Sequence, residues 1–524
     1  MAKLSTTAVF KEYNPLQALL FPPSLSDLIE ESHLSRVVDR IVEAMDISSL
    51  FNKYEGGGTS SYHPRMLLKV LLYGYSTKVY TGRRIARALR SDIHFMFLAG
   101  WNKPDFRTIN NFRSSKAKEV INELFQQMLL FLIEHQYIKM ENYFSDGSTF
   151  RADANKHKVT WKKNAVRYQA AAEEKCRELF QQIEELNAAE EHQYGNTDLE
   201  ERGQNAVEIT PEKINEQVAR LDKIISGTEA KKTKRKAASL KKKVVEKQQK
   251  IMGYQQQQEC SGNRSGFSKT DPQATAMRMK NDELLPAYNV MTGSENQFIT
   301  AVSVHQNPND GACFKEHLEE AGKQWPSLPK AIIADSIFGT EQNYELLEKL
   351  SIGNYLKFPS FHSEQKKNFK DRVFLKENFS YDAITDSFIC PNQKRLVYKG
   401  SFNQTHQKTG YVSTLKEYQC EDCQDCPFYS QCCKSEKGAN RTIKLSEKLE
   451  EHKQQARENL ASEKGALLRK KRSVEIESCF GDIKHNMSFR RFHLRGLDKV
   501  KTEFIMVAMA HNLRKMSLQD KKAA

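Results

Sequence analysis

The 524-residue chain is predicted to be an α/β protein: a mixed sheet flanked by helices, with an all-α amino-terminal region and two insertions. Three observations predict this. Up to about Ile138 the apolar residues recur at three- and four-residue spacing, the signature of helices with one buried face. Short apolar runs of strand length then appear at 142–150, 287–304 and 331–334, with helical patterns between them. A long polar helical tract and a tight group of cysteines interrupt that alternation.

Residues 1–138 are read as a helical, DNA-binding domain. Leu28, Val37, Val38, Ile41, Val42 and Met45 follow a broken helical period, and Pro64 opens a helix through Met66, Leu67, Val70 and Leu71. Thr81-Gly-Arg-Arg-Ile-Ala-Arg-Ala-Leu89 starts another helix after a glycine turn. A helix, a turn and an arginine-bearing helix are compatible with a helix-turn-helix, and equally with a plain bundle. The run Leu124 to Ile138 reads as a buried helix leading into the first strand.

Residues 139–155 and 261–380 supply the sheet. Asn142-Tyr-Phe-Ser-Asp-Gly-Ser-Thr-Phe150 reads as a strand carrying Asp146, where Gly147 and Ser148 leave room beside the acid. Ala287–Val290 and Gln297–Val304 are further strands, followed by a helix around Phe314–Ala321. Ala331-Ile-Ile-Ala334 is a fully buried strand with Asp335 at its carboxyl end, where α/β folds place their chemistry. A helix over Glu341–Leu350 and a strand over Gly353–Phe358 complete this part. Each acid alone has an ordinary explanation, since Asp-Gly is commonly a turn and an acid after a strand commonly caps a helix.

Residues 156–260 are expected to form an antiparallel coiled-coil hairpin. Ala172, Cys176, Leu179, Ile183 and Leu186 mark one arm; Ile214, Val218, Leu221 and Ile225 mark the other, with Tyr194-Gly-Asn-Thr197 between them. Lys231–Lys236 and Lys241–Lys243 suit a phosphate clamp or a solvated face. Gln255–Gln258 and Ser261–Ser265 read as a linker.

Residues 381–445 form a small cysteine-rich insertion. Cys420, Cys423, Cys426, Cys432 and Cys433 fall within fourteen residues, and Cys390 precedes them. In a reducing compartment such spacing points to a structural zinc held by four thiolates. Cys423 and Cys426 give one close pair; Cys390 and Cys432 are the expected remainder, with Cys420 and Cys433 as substitutes and free loop thiols as the alternative.

Residues 446–524 are read as helices completing the core. Glu477 and Lys484 lie two helical turns apart and so share a face, with Val474, Ile476, Phe480 and Ile483 as apolar contacts. Arg490, Arg491 and Arg495 follow as a cationic segment.

Taken in this order, Asp146, Asp335 and Glu477 resemble the triad of the DDE transposases of bacterial insertion sequences. The resemblance covers nearly the whole chain. It includes Tyr62-His-Pro-Arg-Met-Leu-Leu68, Pro104-Asp-Phe-Arg-Thr-Ile-Asn-Asn-Phe-Arg113, Ser268-Lys-Thr-Asp-Pro272 and Glu477-Ser-Cys-Phe-Gly-Asp-Ile-Lys484. It implies an RNase H-like fold with the first acid on the first strand, the second after the fourth, and the Glu on a late helix. The family's Tyr-Arg-Glu-Lys signature places an Arg four positions before the Glu; here that position is Ser473 and the nearest is Arg472. Glu475 is the rival for the third acid.

The resemblance implies a transposase that binds terminal inverted repeats and catalyses metal-dependent cleavage and strand transfer, without a covalent protein–DNA intermediate. Three carboxylates are hard oxygen ligands that suit two Mg²⁺ or Mn²⁺ ions. Lys484, Arg490, Arg491 and Arg495 would contact the phosphates of transposon ends, and a homodimer is expected in the DNA complex. Independently, a net charge of +15 favours a polyanionic partner. No apolar run approaches the ~18–20 residues that span a bilayer, and the amino terminus lacks a signal-peptide core, so a cytoplasmic protein with double-stranded DNA as partner and no membrane is expected. Two rivals remain: a metal-dependent nuclease of the same fold, which would cut without joining, and a non-enzymatic DNA-binding derivative, which would have lost an acid.

Overall fold

A computed structural model describes residues 24–54, 61–194, 209–407, 409–433 and 438–523. Its centre is an eight-stranded mixed sheet: β1 (Asn142–Arg151), β2 (Val159–Trp161), β3 (Gly266–Ser268), β4 (Thr275–Arg278), β5 (Leu284–Glu295), β6 (Phe298–His305), β7 (Ala331–Ala334) and β8 (Gly353–Leu356). β5 is long enough to pair with β4 through its first residues and β6 through its last, while β1 runs antiparallel along its other edge. β7 and β8 extend the sheet parallel to one another and to β1. The small strands β2–β4 were not foreseen; at three or four residues they carry too little alternation to read.

One carboxylate fixes where β1 begins. Glu295, buried at the end of β5, accepts the backbone N–H groups of Lys139, Met140, Glu141 and Asn142 at 2.6–2.9 Å. Four donors on two oxygens pin the incoming chain, and with it the register that delivers Asp146.

The amino-terminal helices do not stand apart. Pro64–Ser76 is buried on nearly every side, and it packs on Leu497–Ala523, whose stretch from Phe504 to Ala510 is wholly buried against β6. Asn512 on that last helix closes a two-way amide pair with Ile299 of β6, at 2.8 and 2.9 Å. Buried apolar side chains from Val37 to Met516 form one continuous core. Leu28, by contrast, is exposed. Arg113, which closes the Pro104–Arg113 motif, is buried and donates to Tyr75 Oη and the Tyr80 carbonyl, while Tyr75 donates to the buried Glu503. This arginine ties the helices together.

The two stretches expected as insertions fold as further groups of elements. The first contains three helices, Lys162–Tyr194, Pro211–Gly227 and Lys231–Ser261, and not the two arms expected. The second arm breaks at Gly227, where the chain turns extended at Thr228. Ala172, Cys176, Leu179, Ile183, Leu221, Leu240 and Val244 form its separate apolar seam. Gln255–Gln258, read as linker, lies inside the third helix; glutamine is a good helix former, so a polar run was not a break. Gly195–Thr197 fall outside the described residues. The second insertion is a five-stranded antiparallel sheet of β9 (Ser380–Asp382), β10 (Ser387–Ile389), β11 (Arg395–Thr405), β12 (Val412–Cys420) and β13 (Thr442–Leu445). Phe379, Phe388, Leu396, Tyr418 and Ile443 make its small core. Among the described residues, no helix is long and apolar enough to cross a membrane.

Candidate active site

The sheet register alone brings two acids together. Phe144 of β1 pairs with Ile333 of β7, and that ladder ends there. Two residues further along each strand stand Asp146 and Asp335, on neighbouring parallel strands and the same face. Ser336–Phe338 turns away as a short 3-10 helix, which leaves Asp335 at an open strand end.

The third acid arrives on a helical run with an irregular middle. Glu463–Arg472 is α-helical, Ser473–Glu477 is a π-helix, Ser478–Gly481 returns to α, and Asp482–Asn486 is π again. A π turn places residues i and i+5 above one another. Arg472 and Glu477 are five apart, so the extra residue that displaced the arginine from its signature position is absorbed by the wider turn. Arg472 therefore faces the acids.

Its guanidinium reaches all three. Nη2 lies 3.3 Å from Asp335 Oδ2 and 3.8 Å from Glu477 Oε1, and Nη1 lies 3.6 Å from Asp146 Oδ2. The arginine side chain is 12% exposed, and Nη1 is buried without a hydrogen-bond acceptor. Lys357, just beyond β8 and buried, adds a second cation 3.6 Å from Asp335 Oδ1. The sequence marked Arg472 only as the arginine nearest the signature position, and Lys357 was not singled out. Among the described residues, no three His, Cys, Asp or Glu side chains stand ready to hold a metal ion. The acids are gathered around a guanidinium instead.

Their electrostatics differ. Burial pushes the Asp146 carboxyl up to about 6, against the Gly147 N–H and Arg472, with the charges of Asp310 and Asp335 adding to the rise. Burial also acts on Asp335, but Arg472, the Ser336 N–H and Lys357 outweigh it and hold that carboxyl below its usual range. Burial lowers the pKa of Lys357. The room expected at Gly147 is taken by the Asp310 carboxylate, which a Cβ there would strike and which Asn289 holds at 2.5 Å.

Glu475 goes elsewhere. It is buried, and its Oε2 accepts the Gln297 N–H at 2.6 Å in the turn between β5 and β6. Glu477, 57% exposed at the side chain, is the one that joins the aspartates. Val474, expected among the apolar contacts, is exposed, while Ile476, Phe480 and Ile483 are buried.

Lys484 is half-buried beside the first strand. Its Nζ donates to Ser148 Oγ at 2.6 Å and to the Thr149 carbonyl at 3.0 Å, and stands 4.4 Å from the centre of the Phe150 ring. Burial and the nearby Lys280 pull its pKa down to about 8. No carboxylate pairs with it among the described residues. Arg490 is exposed and donates to the Lys484 carbonyl at 3.0 Å. Arg491 and Arg495 both pair with Asp153, the latter at 2.9 Å, so two of the three arginines expected to be free are already engaged. A groove of about 640 Å³ beside them is lined by Gly82, Arg83, Phe106, Asn110, Arg495 and Lys499.

The six cysteines of the second insertion line one small cavity. Cys423 Sγ accepts the Arg441 N–H at 3.4 Å, and Cys426 Sγ accepts from Asn392 Nδ2 at 3.6 Å. Cys420 and Cys433 instead donate to the carbonyls of Asp422 and Ala439.

Two family models match the chain. One, described as a transposase DDE domain, covers residues 389–517 and so includes Glu477 and Lys484 but neither aspartate. The other, described as Transposase domain (DUF772), covers residues 23–115 in the amino-terminal helices. No curated protein and no solved structure matches.

Proposed function

We propose, from the premise that this chain belongs to the DDE transposases of the insertion-sequence type, that it binds the terminal inverted repeats of its element and performs cleavage and strand transfer at Asp146, Asp335 and Glu477. DDE transposases generally use divalent metal ions. The observation that carries the assignment is the convergence of three acids, from segments far apart in sequence, on one guanidinium. The donor set fits Mg²⁺ or Mn²⁺: three carboxylates are hard oxygen ligands in a field built to hold positive charge. When bound, two such ions supply Lewis acidity that activates the attacking hydroxyl and stabilises the leaving oxygen. Asp146, Asp335 and Glu477 are the residues that would hold them.

The strand order β6-β5-β1-β7-β8, antiparallel and then parallel, supports an RNase H-like core interrupted by the two insertions. For the DNA, the ammonium of Lys484 supports a phosphate contact, because neutral oxygens and a ring face leave its charge uncompensated. Arg490 and the groove edged by Arg83 and Lys499 extend that cationic surface. Such contacts position the duplex and carry no base information. Strand joining on duplex DNA flanking the element's own gene tests the reading; cutting without joining would favour a nuclease.

A structural zinc at Cys390, Cys423, Cys426 and Cys432 is the second reading, favoured by N–H donors aimed at the sulfurs of Cys423 and Cys426, the direction that stabilises thiolates. Elemental analysis of the purified protein should find one zinc per chain, and none would refute it.

A further inference from the structure

Arg472 is the least ordinary residue of the site. Its three ion pairs, at 3.3, 3.6 and 3.8 Å, are all longer than the ~2.7–2.9 Å of a closed charge-assisted hydrogen bond. Nη1 is buried and has no hydrogen-bond acceptor. The guanidinium is thus held by charge and not by fitted geometry. It immediately precedes the π-helix Ser473–Glu477, a turn type that is rare and is found often at functional sites.

We propose that Arg472 is a displaceable counter-cation that occupies the acids until divalent metal replaces it, so that metal loading and the position of Arg472 are mutually exclusive. This rests on the reading of Asp146, Asp335 and Glu477 as the metal-binding triad. Without a cation, three carboxylates facing one another repel. The guanidinium, with the Lys357 ammonium beside Asp335, relieves this only in part, three negative charges standing against two. A divalent ion relieves it better but cannot share the same oxygens with a guanidinium, which it repels. Displaced, Arg472 turns a long cationic arm outward from the helix that also carries Lys484, where an anionic phosphate is the natural partner. DNA phosphate and metal then favour the same Arg472 position, so each strengthens binding of the other. The free protein holds metal weakly as a result, and the loaded site forms where DNA is present.

Mn²⁺ binding to the full-length protein without DNA, followed by the electron paramagnetic resonance of free Mn²⁺, tests this without any turnover. Removing the charge in Arg472→Gln or Arg472→Met should tighten Mn²⁺ binding by roughly tenfold, since no competitor remains. Arg472→Lys, which keeps the charge, should stay near the parent. The melting temperature in EDTA should fall in Arg472→Gln and Arg472→Met and rise more steeply than the parent's when Mn²⁺ is added. Two neutral variants guard against one that fails to fold. If Mn²⁺ affinity is unchanged or weaker in the neutral variants, or if Arg472→Lys behaves like them, the competition is wrong. Asp335→Asn separates the two claims. If it abolishes Mn²⁺ binding while Arg472→Gln leaves affinity unchanged, the triad stands and the role of Arg472 falls. If it leaves Mn²⁺ binding intact in the parent and in the Arg472→Gln background, the triad reading itself fails.

Discussion

Lys484 joins two jobs in one side chain. Its ammonium fastens the late helical run to Ser148 and Thr149 on β1, and no carboxylate pairs with its charge among the described residues. The sequence reading gave Lys484 a phosphate contact and no part in the fold. The contacts predict otherwise: Lys484→Ala should cost on the order of 1 kcal/mol in stability, from lost hydrogen bonds and the Phe150 ring contact. It should also weaken binding to end DNA and flatten the salt dependence by about one unit for one phosphate. Denaturant melts and binding titrations at several salt concentrations check both halves. An unchanged salt slope would make Lys484 a structural residue only. Glu295 offers a purely structural contrast, because four backbone donors depend on it. Glu295→Ala should destabilise by about 3 kcal/mol, since four backbone donors lose their acceptor, that of Met140 in a buried position. Thermal melting with circular dichroism reads that directly.

Among the elements, the π-bearing run from Ser473 to Asn486 decides the geometry of the site. Its second π segment is clamped by His511, which lies buried on the last helix. Nδ1 meets Asp482 Oδ2 at 2.8 Å and Nε2 meets the Gln297 carbonyl at 3.0 Å. Both partners are acceptors, so both ring nitrogens donate and the ring is an imidazolium. Burial alone pushes its pKa down, but Asp482 and Cys479 outweigh that and push it up to about 10. A raised folded pKa gives stability that is fully present below the unfolded value near 6.5 and is lost as pH rises toward 10. The melting temperature should therefore decline across that range, and Asp482→Asn should remove most of the decline; an equal slope in both proteins would contradict the clamp. This element also shows what the sequence concealed. The buried strand ending in Asp335 was legible because an apolar run of four closed by an acid has few other readings. The π turns were not, because they shift a helix by one residue without changing its composition. That shift is why Arg472 looked misplaced, and why Val474 was assigned to the wrong side. The partnering of Arg491 and Arg495 with Asp153 was hidden for a different reason: it joins residues more than 300 positions apart.

At the scale of the whole molecule, the amino-terminal helices and the sheet share one apolar core, bridged by the last helix and by the buried chain of Arg113, Tyr75 and Glu503. A fragment ending at Ile138 would leave the buried face of Pro64–Ser76 without Leu497–Ala523 against it. It should lack a cooperative melt, whereas the full chain should lose both regions together; a sharp independent transition in the fragment would contradict the shared core. The same interlocking sets the site, since β1, β7 and the late helical run each contribute one acid. The most direct measurement is cleavage of end DNA by Glu477→Gln and Glu475→Gln side by side, with DNA binding recorded for both. Glu477→Gln should bind end DNA and fail to cut it in Mg²⁺, while Glu475→Gln, whose carboxylate only holds the Gln297 turn, should still cut. Cutting by Glu477→Gln together with loss of cutting in a folded Glu475→Gln would show that the third acid, and the site built around it, is wrong.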